Sequence, residues 1–258
     1  MIEVSVIQFN PVLGDPDKNM LAIRDRLLHT THSDIVVLPE LATTGYNFED
    51  KDHAWVLSEV PEESEIVSML HNVATTNNQY IIIGFNERSG EKMYNSSLLI
   101  GHEGILGVYR KMHLFMEEKD IFEPGDGKLE VYDLGFCKVG MQICFDYLFP
   151  EPWRILAQEG ADIIVHPSNL LTRNAMKAMP GIALMNRIYT VTANRIGTED
   201  ELTFNGNSMI INPSGDVLSR APADEESILS LEIDPAYARN KMITPLNHVF
   251  NDRRPEHY

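Results

Sequence analysis

Ser33-Asp34-Ile35-Val36-Val37-Leu38-Pro39-Glu40 and Ala161-Asp162-Ile163-Ile164-Val165-His166-Pro167-Ser168 follow one pattern, an Asp-led apolar strand after a helix, stopped by Pro. Such short runs of β-branched residues read as strands buried on both faces, the kind that occupies the middle of a parallel sheet. Two accounts of the echo stand side by side. Buried parallel strands resemble one another for physical reasons alone, or the chain is a two-sheet sandwich with pseudo-symmetric halves.

Working outward, further strand patterns lie at 2–9, 79–86, 95–100, 104–110, 129–134, 137–143, 188–195, 207–212 and 227–233, with helical periodicity at 17–31, 61–77, 150–160 and 174–187. Asp15-Pro16-Asp17 and Phe149-Pro150-Glu151 look like helix starts, with Pro in the first turn and an acid that suits the dipole. Gly/Asn/Pro turns punctuate the rest, and hairpins become more frequent in the second half. The class is α/β with mixed sheets. No low-complexity linker divides the 258 residues, so one domain over 1–258 is expected.

The chain carries 38 Asp and Glu against 21 Lys and Arg, a net charge of −17. That balance repels phosphate backbones and anionic lipid, so neither nucleic acid nor a membrane surface is an expected partner. Cys137 and Cys144 are too few for a disulfide framework and fit neither a redox pair nor a zinc site. An acid at position 3 argues against a signal peptide, and no apolar run approaches the length of a membrane span. A cytoplasmic location is the expectation.

Ligands of α/β proteins gather beyond the carboxyl ends of strands. Three reactive residues stand there: Glu40, Lys111 and Cys144. A carboxylate, an ammonium and a thiol are the requirements of thiol-based acyl transfer, which needs a base, an oxyanion partner and a nucleophile. Singly, each has a plainer reading: a capping or surface acid, a solvated lysine, an inert buried cysteine. The Phe145–Glu151 exit toward a helix, with a lysine nearby, predicts a lowered pKa for Cys144; Cys137, with no helix start after it, is assigned an inert role. His29 and His32 at i, i+3 lack a supporting carboxylate for a metal. His113 or His166 could instead pair with Cys144 as in a Cys-His hydrolase. No glycine-rich phosphate loop or dinucleotide fingerprint is present, and no cofactor is expected.

Together these segments resemble the nitrilase, or carbon–nitrogen hydrolase, superfamily. The resemblance runs through Leu38-Pro39-Glu40 to Thr44-Gly45-Tyr46, Tyr109-Arg110-Lys111-Met112-His113-Leu114-Phe115, Glu118-Lys119 to Pro124-Gly125, and Val139-Gly140-Met141-Gln142-Ile143-Cys144-Phe145-Asp146. It continues through Asn194-Arg195, Gly206-Asn207-Ser208 and the tail, nearest to the short archaeal-type members. It implies an α-β-β-α sandwich, usually a homodimer or higher oligomer, and a Glu-Lys-Cys triad at Glu40, Lys111 and Cys144. It also implies that Glu118 positions the lysine and the substrate, with no metal or cofactor. Nitrile-cleaving members commonly carry Trp and Glu after the nucleophile. Phe145 and Asp146 here tilt the reading toward a small amide substrate, with a nitrile or an N-carbamoyl compound as alternatives and a silent binding member as a further one. Tyr46, Phe145, Tyr147 and Asn169 are the expected pocket residues, and Arg173 keeps a carboxylate-bearing carbamoyl substrate in view.

Overall fold

In the computed structural model, which describes residues 1–257, two six-stranded mixed sheets pack face to face. The first runs, in spatial order, Ser227–Ile233, Ile2–Gln8, Ile35–Val37, Tyr80–Ser89, Lys92–Gly101 and Gly104–Arg110. The second runs Val131–Asp133, Lys138–Met141, Ile163–Ser168, Tyr189–Asn194, Met209–Ile211 and Val217–Arg220. Read in these orders, both sheets have the same directions: one antiparallel edge, three parallel strands, then two strands that alternate. The echoing segments are the middle strand of each parallel trio. The pseudo-symmetric sandwich is the account that holds.

The leading aspartates explain why the echo begins as it does. Asp34 Oδ2 accepts the Glu3 N–H at 2.7 Å, and Asp162 Oδ2 accepts the Lys138 N–H at 3.0 Å. Each carboxylate thus satisfies a backbone donor at the start of the adjacent strand, where the ladder has not yet begun. The prolines act less uniformly. Pro39 ends its strand, but Ile163–Ser168 continues through Pro167, which pairs with Ala193. The proline is tolerated because the neighbour on the other side stops at Met141, opposite Val165, so no ladder bond is lost there.

Alternation sorts the core. Val4, Val6, Ile35, Val37, Ile82 and Leu99 join the cluster between the sheets. Their neighbours Ile7, Val36, Leu38, Ile81, Ile83 and Leu98 face outward onto Ile23 and Leu27 of the helix Pro16–Leu27 and Ile66 and Leu70 of the helix Glu65–Asn77. Across the molecule, Pro150–Gln158 and Asn174–Asn186 cover the second sheet through Trp153, Leu156, Met179 and Ile182. This is the four-layer α-β-β-α arrangement. Sequence periodicity missed several short elements: the helix Lys51–Val56, the hairpin Ile196–Glu199 with Leu202–Asn205, and the edge strand Val217–Arg220. No helix among the described residues is long and apolar enough to cross a membrane.

Strand ends on both sheets deliver the reactive residues, and one glycine controls the fit of the first. Gly84 N–H donates to the Pro39 carbonyl at 3.0 Å, and the Gly84 carbonyl accepts Ala42 N–H at 3.0 Å, so the Glu40 turn lies directly on this glycine. A Cβ at position 84 would sit 2.3 Å from Glu40 Cα and 2.4 Å from Leu41 N. Backbone cannot yield as a flexible side chain can. Gly84→Ala is expected to cost roughly 1–3 kcal/mol in urea unfolding, while Gly127→Ala, whose Cβ meets nothing within 4 Å, should stay within about 0.5 kcal/mol of the parent.

Candidate active site

Glu40 follows the strand Ile35–Val37, Lys111 follows Gly104–Arg110, and Glu118 opens the short helix Glu118–Ile121. Their side chains meet in a site closed to solvent. Lys111 Nζ donates to Glu40 Oε1 and to Glu118 Oε1, each at 2.7 Å, with both the lysine and Glu40 side chains 0% exposed. Asn95, from the strand Lys92–Gly101, donates through Nδ2 to Glu40 Oε1 at 2.7 Å and to Glu118 Oε1 at 3.2 Å. Glu118 Oε2 accepts the Phe115 N–H at 2.8 Å. Glu40 Oε2, equally buried, has no partner among the described residues.

Burial alone would lower the Lys111 pKa, but Glu118 and Glu40 outweigh it and hold the ammonium above its ordinary range. Two carboxylates sharing one cation cannot both be fully compensated. Burial, with the Glu40 charge adding to it against the pull of Lys111, pushes Glu118 up to about 7. The Tyr46 hydroxyl is coupled to the same cluster; burial first, then the charges of Glu118 and Glu40, raise its pKa.

Cys144 comes from the second sheet, at the turn after Lys138–Met141. Its backbone has φ +41°, a left-handed conformation costly for a residue with a Cβ. Asp146 holds the turn. Its Oδ2 accepts Ile143 N–H at 2.9 Å and Tyr109 O–H at 2.8 Å, and its Oδ1 accepts His113 N–H at 3.2 Å and contacts His113 Nδ1 at 2.7 Å. One carboxylate therefore ties the Cys144 turn to both flanks of Lys111. The thiol couples electrostatically to Glu40, Lys111 and Glu118, and the nearby Asn169 backbone N–H opposes the rise in its pKa. Its pKa is raised, contrary to the lowered value expected from the sequence. Burial dominates and Glu40 adds to it, while the regular helix begins only at Pro150 and the intervening Cys144–Leu148 segment is one short 3₁₀ turn.

The histidines are engaged elsewhere. His166 Nε2 meets the Cys144 carbonyl oxygen at 2.8 Å, so this nitrogen carries the proton; burial lowers the ring's pKa to about 4. His113 is held by Asp146 and stacks on Phe149 with centroids 3.6 Å apart. Neither ring nitrogen of either residue is hydrogen-bonded to the sulfur. His29 and His32 lie beyond the helix, which ends at Leu27, and no three-residue metal-binding group occurs among the described residues. Cys137 is buried, and burial pushes its thiol up to about 12.

Beside Cys144 opens a cavity of about 190 Å³ lined by Phe115, Phe145, Tyr147, Asn169 and Leu170, among others. Arg173 is exposed and is not part of that lining. Asn95 and the bracing role of Asp146 escaped the sequence reading. The polar run Asn95-Ser96-Ser97, fully buried inside an otherwise apolar strand, is the signal that marks Asn95.

The sequence model for carbon-nitrogen hydrolases matches residues 3–241. This chain belongs to the carbon–nitrogen hydrolase family, within the nitrilase superfamily. It is 45% identical to a protein named nitrilase from Pyrococcus abyssi, over 100% of this chain and 99% of that one. It is 30% identical to a citrullinase from Francisella tularensis subsp. tularensis, over 100% and 96% of the two chains. Among solved structures, an amidase from Nesterenkonia sp. shares the fold with a TM-score of 0.82 at 24% identity, covering 93% of this chain and 92% of that one.

The buried cluster of this carbon–nitrogen hydrolase makes a measurable demand on stability. In Lys111→Met the two glutamates would face each other without a cation, at an expected cost of roughly 3–5 kcal/mol at pH 8. Relief comes from taking up a proton in the folded state, at a pH where an unfolded glutamate has already lost its own. The folded variant then binds more protons than the unfolded chain, so its deficit should shrink as pH falls toward 5. Urea unfolding of parent and variant at both pH values checks the sign.

Proposed function

We propose that this hydrolase cleaves a small neutral amide to the acid and ammonia through a thioester on Cys144. The observation that carries the reading is the asymmetry of Glu40. One oxygen is fixed by Lys111 and Asn95, and the other is buried with no partner, beside a thiol to which it is electrostatically coupled. A free carboxylate oxygen in a dry site is a competent general base.

Glu40 Oε2 takes the Cys144 proton, and the sulfur attacks the amide carbon. Two of the three Lys111 protons are committed to glutamates. The third, with the Phe145 backbone N–H, holds the oxyanion as negative charge moves onto oxygen. Glu40 returns the proton to nitrogen, the C–N bond breaks, and ammonia leaves behind a thioester. Water deprotonated by Glu40 then attacks the same carbon, releases the acid and restores the thiol. The raised pKa of Cys144 suits this order, because proton and attack are coupled and no resting thiolate is required. Glu118 and Tyr46 keep the lysine in place. A point mutant of the Nesterenkonia sp. AN1 amidase carries the product of Michael addition of acrylamide at its active-site cysteine; in this reading Cys144 has that part here.

Phe115, Phe145, Tyr147 and Leu170 make the cavity largely apolar, and no charged side chain lines it. A neutral, short acyl group suits such walls better than a carboxylate-bearing carbamoyl compound. A second reading, nitrile hydrolysis through a thioimidate on the same sulfur, draws on the 45% identity to the Pyrococcus abyssi protein. Ammonia release from a panel of small amides, nitriles and carbamoyl compounds separates the readings. Amide turnover that falls by at least about 10⁴-fold in both Cys144→Ala and Glu40→Gln is the expected result. Nitrile-only release would establish the second reading, and a fully active Glu40→Gln would remove the triad.

A further inference from the structure

Asn169 is 3% exposed, yet neither Oδ1 nor Nδ2 of its side chain has a hydrogen-bond partner among the described residues. An orphaned amide in a dry interior is costly, and native cores rarely keep one without a use. Its location supplies the use. Asn169 lines the cavity beside Phe115, Phe145 and Tyr147, and Cys144 lines it too.

The backbone that carries the Asn169 side chain is also held in place. Met141 Sδ lies 3.5 Å from Ser97 Oγ of the opposite sheet, and Val165 is in register with Met141. Strand alternation therefore turns Val165 and Pro167 toward the first sheet, where Glu40 and Lys111 stand, and Asn169, one residue past the strand, enters the lining of the Cys144 cavity. The next residue is pinned on both sides: Leu170 N–H donates to Asn194 Oδ1 at 2.8 Å, and the Leu170 carbonyl accepts Asn205 N–H at 3.0 Å.

We propose that the Asn169 carboxamide recognises the scissile group itself and selects unsubstituted primary amides. This rests on the amidase reading above and adds to it the residue that sets the leaving group. A carboxamide is the complement of a carboxamide. Oδ1 accepts the substrate N–H that lies on the same side as its carbonyl, Nδ2 donates to the carbonyl oxygen, and both orphaned atoms are satisfied together. The substrate's other N–H is left for Glu40 Oε2. In an ordinary secondary amide the alkyl group occupies the position of the hydrogen that Asn169 would bind. A nitrile has no N–H at all. The pocket therefore discriminates against both by one unmade hydrogen bond, and against the secondary amide by a clash as well.

The test compares wild type with Asn169→Leu, similar in size but unable to hydrogen-bond, using propionamide, N-methylpropionamide and propionitrile. Asn169→Ala repeats it with room for the methyl group, and serves alone if the leucine variant does not fold. The expected result is a loss of about 10- to 100-fold in kcat/KM for propionamide, with any propionitrile turnover falling by a smaller factor, since only one of the two hydrogen bonds is lost there. The wild-type preference for propionamide over its N-methyl analogue, expected to exceed about 10³-fold, should shrink at least tenfold in the alanine variant. Because the leucine removes an unsatisfied amide, its thermal midpoint should be unchanged or higher. Methyl methanethiosulfonate, a thiol reagent with no amide for Asn169 to bind, should modify Cys144 in the variants as it does in the wild type. Unaltered propionamide turnover would overturn the assignment while leaving the amidase reading intact. So would an equal loss on all substrates with a lowered midpoint, the mark of a structural role. A wild type that turns over only the nitrile would overturn both.

Discussion

A single ammonium buried between two glutamates is the constraint around which this molecule is built. Lys111, Glu40 and Glu118 are almost wholly withdrawn from water, and removing any ion of that size from water costs far more than one hydrogen bond returns. The arrangement survives because contacts from four segments of the first half of the chain converge on it: the Glu40 turn, Asn95 in the adjacent strand, the Lys111 strand end and the Phe115–Glu118 turn. The compensation is incomplete. An elevated Glu118, a thiol above its usual range and an unbonded Glu40 oxygen are three expressions of one excess of acid over base in a dry space. Titratable groups displaced in this way by burial and by one another gather at functional sites more often than elsewhere.

The two sheets divide the work. The first supplies acid and cation, and the second supplies the sulfur and the amide wall of the cavity. Asp146 joins them at the reacting end, since one carboxylate reaches Tyr109 on the lysine strand, His113 beyond it and the backbone of the Cys144 turn. A comparable tie works from the other side of the Glu40 loop. Glu199, paired with the buried Arg195, accepts the N–H groups of Tyr46 at 3.0 Å and Asn47 at 2.8 Å, so the hairpin of the second half grips the loop of the first.

Much of this was legible in the chain. Residues 34–39 and 161–166 advertise buried parallel strands, and chemistry placed just after apolar runs marks Glu40, Lys111 and Cys144 without any coordinates. The resemblance named the family that the sequence model then matched. What stayed hidden has physical reasons. Asn95 acts through a side chain whose partners are 55 and 23 residues away, and no local pattern encodes such pairs. The Cys144 pKa was misjudged because a proline-led helix start six residues downstream looked like a field at the thiol, while the burial that dominates is a property of the packed whole. Pro167 looked like a strand terminator because the sequence does not announce that the neighbouring strand has already ended.

The edge pairing of Ile2–Gln8 with Ser227–Ile233 has a consequence in time. Ser5 and Ser230, 225 residues apart, bond side chain to side chain at 2.6 Å, so the first sheet gains its outer strand only when the second sheet has already been made. During synthesis, Ile2–Gln8 waits with one row of backbone groups unpaired, a template for any other extended chain nearby. The growing polypeptide thus stays open to misassociation at this edge until Ser227–Ile233 emerges. Pairing with Ser227–Ile233 completes the sheet, and the open row of backbone groups passes from Ile2–Gln8 to Ser227–Ile233, which becomes the edge.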